Sequence, residues 1–249
     1  MVVTGAVEVN PDGRVHAYTI DQQDKVPADV MAVIGKDIPR WDFKSPGGVV
    51  KATMSLLIVN KPIGDGKYAI AVSGVSFGGY PDETGESVKR KAADVQPIYP
   101  EAAINARVSG TVYVLLRVSR DGTVDESVAE QVNLDQYGSQ SQMNQLRKML
   151  ADASLKAAKH WTFDLPTRGK EVADPYWLIR IPVNFRLYGA GHPKEEPAYG
   201  TWHVYIPGPR QTPSWTSQIL LSEAPDAMRG SEPHTGNPML QLQTSPSGT

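Results

Sequence analysis

The sequence predicts an α+β protein of two tandem units, each a small antiparallel sheet packed with helices, followed by a Pro-rich C-terminal tail. Three observations predict it. One order of elements is spelled twice: an alternating strand, Asp-Gly, a returning strand, a helical stretch, Trp-x-Phe and a closing strand. Asp12-Gly13 and Asp121-Gly122 each sit between alternating apolar runs, which is hairpin chemistry because glycine takes positive φ without steric cost. Composition then shifts after Ala190, where nine of the 20 prolines fall. These place the units at 1–78 and 96–189, with a linker at 79–95 and the tail at 190–249.

In the first unit Val7 and Val9 alternate toward Pro11-Asp12-Gly13, and Val15, Ala17 and Thr19 follow. Val26, Val30, Val33, Ile34 and Ile38 recur at helical spacing, with Pro27 suited to the first turn and Pro39 ending the helix. Trp41 and Phe43, two apart in an extended segment, point the same way and anchor helix to sheet. Lys51 to Val59 and Lys67 to Phe77 form a strand pair joined through residues 62–66. In the linker, Thr84 and Ser87 are candidate caps of a short helix.

The second unit opens on Gln96-Pro97-Ile98-Tyr99-Pro100 and an Ala-rich helix that Gly110 is expected to stop. Val112, Val114, Leu116 and Val118 share one strand face, and Val124 to Val132 returns after Asp121-Gly122. The second unit is the longer, and its surplus, Asn133 to Asn144, reads as a solvated loop before the helix or as an extension of that helix. Met143, Leu146, Leu150, Ala153 and Ala157 make the helical stripe leading to Trp161-Thr162-Phe163, and Tyr176 to Leu187 is the last strand. In the tail, Trp202 and Trp215 are expected to pin Tyr199–Leu221 on a domain face, with disorder beyond Ser222.

A net charge of −2 gives no electrostatic case for nucleic acid. Cysteine is absent, which removes disulfides, thiol nucleophiles and thiolate metal sites. No stretch is long and apolar enough to span a bilayer, and the first residues do not form an export signal; the natural N-terminus is expected to be trimmed. His16, His160, His192, His203 and His234 show no metal-ligand spacing, and neither a Gly-x-Ser-x-Gly elbow nor a phosphate loop is present. The expectation is therefore a protein that is not an enzyme and needs no cofactor.

From Gln96 to about Tyr188, the Pro-x-Tyr-Pro opening, Ala-rich helix, Gly-x-Val-x-Val, Asp-Gly turn, Trp-x-Phe and Val-x-Phe strand together resemble the TonB C-terminal domain family. The first half resembles a degenerate copy that lacks the opening and the first helix. The resemblance implies a periplasmic domain of Gram-negative bacteria that binds an extended segment of an outer-membrane transporter or other envelope protein by strand addition. Carried onto this sequence, it implies partner contact through Gln96 and Tyr99 and along the last strand at Tyr176, Trp177, Ile179, Ile181, Val183 and Phe185. Pro182 removes one donor from that edge. A soluble or lipid-anchored adaptor and the soluble part of an energy transducer lacking its anchor both fit, and a homodimer is left open. An enzyme with a site of scattered polar residues is the reading from another class; a deep pocket of converging titratable groups would favour it.

Overall fold

The computed structural model describes residues 1–78, 85, 87–91, 95–187, 198–228, 230–237 and 239–247. Part of the expected linker, with Thr84, and the expected 189/190 boundary lie outside them. The protein is a mixed α+β fold of antiparallel sheets.

In the first unit β1 (Val2–Val9) alternates half-buried and buried residues, as period-2 patterning requires, and pairs with β2 (Val15–Ile20). Helix α1 (Ala28–Asp37) starts after Pro27, buries Val30 and Ile34, and passes into a 3₁₀ turn through Pro39. β3 (Val50–Gly64) and β4 (Lys67–Gly78) complete a sheet of order β2-β1-β3-β4. The β3–β4 connection is tighter than residues 62–66. Asp65 (φ 49°) and Gly66 (φ 71°) make a two-residue turn whose positive φ values match strand twist. Beyond Leu57, the last β1 partner, the β3–β4 ribbon runs on, and its tip residues 60–68 are exposed.

The linker residues after Ser87 form a short strand, β5 (Lys89–Arg90), rather than a helix, because they pair with the Trp-x-Phe edge described below. Helix α2 (Glu101–Asn105) is a single turn that ends at Arg107 (φ 52°), not at Gly110. Gly110 instead opens β6 (Gly110–Ser119), where a Cβ would lie 2.3 Å from the Asn133 carbonyl oxygen. The surplus segment divides. β7 (Val124–Leu134) takes its start, and α3 (Gln140–Ala158) takes its end behind a capping box, in which Ser139 accepts from the Gln142 N–H and Gln142 from that of Ser139. Next come β8 (Phe163–Asp164), paired with β5, and β9 (Tyr176–Phe185), which gives a second sheet of order β7-β6-β9. In the tail, α4 (Gln218–Ser222) is one short turn capped by Ser217.

Each unit has its own core. Val3, Ile34, Trp41, Phe43, Leu56 and Phe77 meet in the first; Val114, Leu116, Leu150, Trp161, Phe163 and Ile181 meet in the second. The repeat is visible as one contact made twice. The Phe43 N–H donates to the Gly13 carbonyl (2.9 Å) and the Phe163 N–H to the Gly122 carbonyl (2.8 Å). Each Asp-Gly turn is thereby tied to its Trp-x-Phe.

The described residues beyond Ser222 include several that dock on the units. Leu240 is buried in the first core and the backbone of 241–243 pairs with that of 42–44. Burial of Leu240 and Leu242 repays ordering that the Pro-Ser-Gly-Thr composition alone would not.

Candidate functional site

β9 is the outer strand of the second sheet, so its far edge is the place to look for strand addition. The five apolar residues proposed as contacts do not present there. Trp177, Ile179, Ile181, Val183 and Phe185 all lie in the second core, because alternation turns every second β9 side chain onto the helix face. The Trp177 Nε1–H has no acceptor among the described residues. Tyr176 is exposed and lies under the Arg117 guanidinium, 5.7 Å from its ring centre. Tyr99 is half-buried: its ring meets Phe185 edge-on at 5.2 Å, its hydroxyl donates to the Val108 carbonyl, and burial pushes its pKa up. Gln96 is exposed. Sequence reasoning thus found the strand but chose its inward face.

The edge itself is met by the tail. The Arg180 N–H donates to the His234 carbonyl (2.7 Å) and the His234 N–H returns the bond (2.9 Å). By strand alternation Leu178, Pro182 and Asn184 share this outward direction, and Pro182 has no N–H to offer. The opposite edge of the same sheet is covered too. Leu134 and Ile206 exchange bonds of 3.1 and 2.7 Å, and the Gln211 N–H donates to the Glu130 carbonyl (2.7 Å). On the first sheet the Ala224 N–H donates to the Val75 carbonyl (3.0 Å), while Tyr68 to Val72 of β4 meet no further strand among the described residues.

The side chains behind this strap form a buried ion network. Arg180, fully buried, gives Glu130 two bonds (2.6 and 2.9 Å), reaches Glu223 at 3.4 Å and donates to the Leu220 carbonyl at 2.8 Å. Arg210 adds a second cation on Glu130 at 2.6 Å. Glu223 also accepts from the Phe77 N–H (3.0 Å) and lies 2.6 Å from His234 Nε2. Two carboxylates thus face two guanidiniums, the balance that makes buried charge tolerable. The network joins β7, β9, β4 and the tail.

Ser76, His234 and Glu223 have the composition of a hydrolase triad but not its geometry. Ser76 Oγ and Glu223 Oε2 both meet the same nitrogen, His234 Nε2, at 2.9 and 2.6 Å. A base needs one nitrogen for the nucleophile and the other for the orienting carboxylate. Ser76 is also buried.

A cleft of about 150 Å³ opens between the units and the tail, lined in part by Leu57, Tyr113, Asp135, Arg186, His203 and Tyr205. Its charged groups are spent on one another. Asp135 holds Arg186 (3.4 Å) and His203 (3.1 Å), and the Tyr205 hydroxyl donates to Asp226 (2.8 Å). Burial, then the Asp226 charge, pushes both phenols, Tyr113 and Tyr205, far up, so each stays protonated. Among the described residues no group of His, Asp and Glu is arranged to hold a metal ion, and no helix is long and apolar enough to cross a membrane.

The tail residues of the network, Arg210, Glu223 and His234, escaped sequence reasoning. One signal was available in Arg180, a charge between isoleucines in a strand otherwise patterned for burial. Of the expected pins, Trp202 is exposed and Trp215 half-buried, while Tyr199, Leu220 and Leu240 are buried. No protein-family model, curated protein or solved structure matches this chain.

Proposed function

We propose that this chain is a non-enzymatic protein-interaction module of the Gram-negative periplasm that takes an extended segment of an envelope protein as an added strand. The observation that carries the reading is the outer edge of β9, where an extended segment is already held by backbone pairing, at Arg180 alone. Localisation and partner class rest on the resemblance of residues 96–188 to the TonB C-terminal domain. With Trp177, Ile179, Ile181, Val183 and Phe185 turned inward, selectivity falls to Leu178 and Asn184 and to exposed Tyr176.

The test is to titrate the full chain with synthetic peptides copied from periplasm-facing segments of outer-membrane transporters, reading backbone amide exchange. Binding at this edge slows exchange at Leu178 and Asn184 by about tenfold or more and frees the His234 amide. Peptides that leave both β9 amides unchanged would remove the assignment.

A further inference from the structure

The two units complete their Trp-x-Phe edges with the same kind of segment, drawn from different places in the chain. In the second unit it comes from residues 88–91 and Val95. β5 pairs with β8, the Lys91 N–H donates to the Thr162 carbonyl (3.0 Å), Trp161 Nε1 donates to the Val95 carbonyl (2.7 Å), and Val88 is buried in the core. The first unit draws its segment from the tail instead. There Phe43 pairs with Leu242, the Gln243 N–H donates to the Asp42 carbonyl (2.8 Å), Trp41 Nε1 donates to the Pro246 carbonyl (2.9 Å), and Leu240 is buried in the core. Residues 240–246 therefore do for the first unit what 88–91 and Val95 do for the second.

We infer that the Trp41–Lys44 edge of the first unit is a binding site for an extended, uncharged peptide of pattern Leu-x-Leu-x-Thr with a main-chain carbonyl two residues on, with residues 240–246 as its resident ligand. Each part of the pattern has a receiver. Leu240 enters the core and Leu242 packs half-buried against it. The Gln241 carbonyl accepts from the Lys44 N–H (2.9 Å), and Thr244 Oγ1 accepts from the Asp42 N–H (3.2 Å). The Pro246 carbonyl caps the buried Trp41 indole, a donor that would otherwise be stranded. Residues 239–247 carry no charge, so binding is insensitive to salt. The site lies in the other unit from β9 and does not depend on the function proposed above.

The probe is a fluorescent peptide copying residues 239–247, titrated against the full chain and against the full chain carrying Leu240→Asp and Leu242→Asp. The two aspartates expel the tail from the edge. A tethered competitor acts at roughly millimolar effective concentration, so the peptide binds the variant about 100-fold or more tighter than the intact chain. The same peptide with glutamine at both leucine positions does not bind. Should the variant lose the near-ultraviolet signal of Trp41 and its aromatic neighbours, saturating peptide restores it. The inference is overturned if the variant neither binds nor recovers, if the glutamine peptide binds equally, or if the intact chain binds as tightly as the variant. None of these readouts involves an envelope peptide or β9.

Discussion

Arg180→Met tests the ion network that fastens the tail to both sheets. The substitution keeps a long unbranched side chain but deletes two bonds to Glu130, one to Glu223 and one to the Leu220 carbonyl. Glu130 Oε1 keeps Arg210, while Glu130 Oε2 loses the donor that stood 2.6 Å away. Glu223 keeps the Phe77 N–H and His234. Breaking a buried pair by removing one partner costs about 3–5 kcal/mol, and the surviving partners place this case at the low end, about 3. For a chain of this size each kcal/mol moves Tm by about 2–4 °C, so thermal unfolding falls by about 6–12 °C. Adding Glu130→Met recovers about half of the loss or more, because the stranded charge goes with it. Thermal melts at neutral pH, with urea unfolding alongside, read both numbers. A loss under about 3 °C for the single variant, or a double variant worse than the single, would refute the reasoning.

Two further outcomes are specific to the repeated turns. Gly13→Ala and Gly122→Ala both place a Cβ against a carbonyl oxygen, at 2.1 Å from Phe43 O and 2.4 Å from Phe163 O, at φ of 92° and 79°. Gly47→Ala, at φ 77° with open space around it, carries only the backbone strain of about 1–3 kcal/mol; in thermal melts the two turn variants lose clearly more than this control, and equality would remove the clash. Asp121 titrates low, at about 2, because Ser119 and Thr123 donate to its carboxylate. A depressed acid contributes stability above its unfolded value, near 4, that is lost as pH falls toward 2; Asp121→Asn flattens that limb of a pH series of melts, and an unchanged limb would contradict it.

What the sequence makes legible is what neighbouring residues decide. The Asp-Gly turns, the α1 stripe ended by Pro39 and the Trp-x-Phe anchors each rest on spacing within one element, and all are in place. The two faces of β9 follow from alternation as well, but alternation does not say which face packs into the core; that depends on elements outside the strand. The strap is harder still. Backbone pairing between Leu134 and Ile206, or Phe43 and Leu242, uses groups every residue has and leaves no mark on composition. Leu240-Gln241-Leu242 reads as a minor feature of a Pro-rich stretch until Trp41 is seen beside it.

The separation of 205 residues between Trp41 and the Pro246 carbonyl also sets a timetable. Synthesis proceeds at roughly 5–20 residues per second, so Trp41 is made about 10–40 s before the Pro246 carbonyl that caps it. The second unit carries the segment that covers its own Trp-x-Phe edge ahead of it, so that edge closes without waiting for the tail. The half of the protein that is made first is therefore finished last, and during that interval its indole and its open edge are in the care of whatever meets the nascent chain.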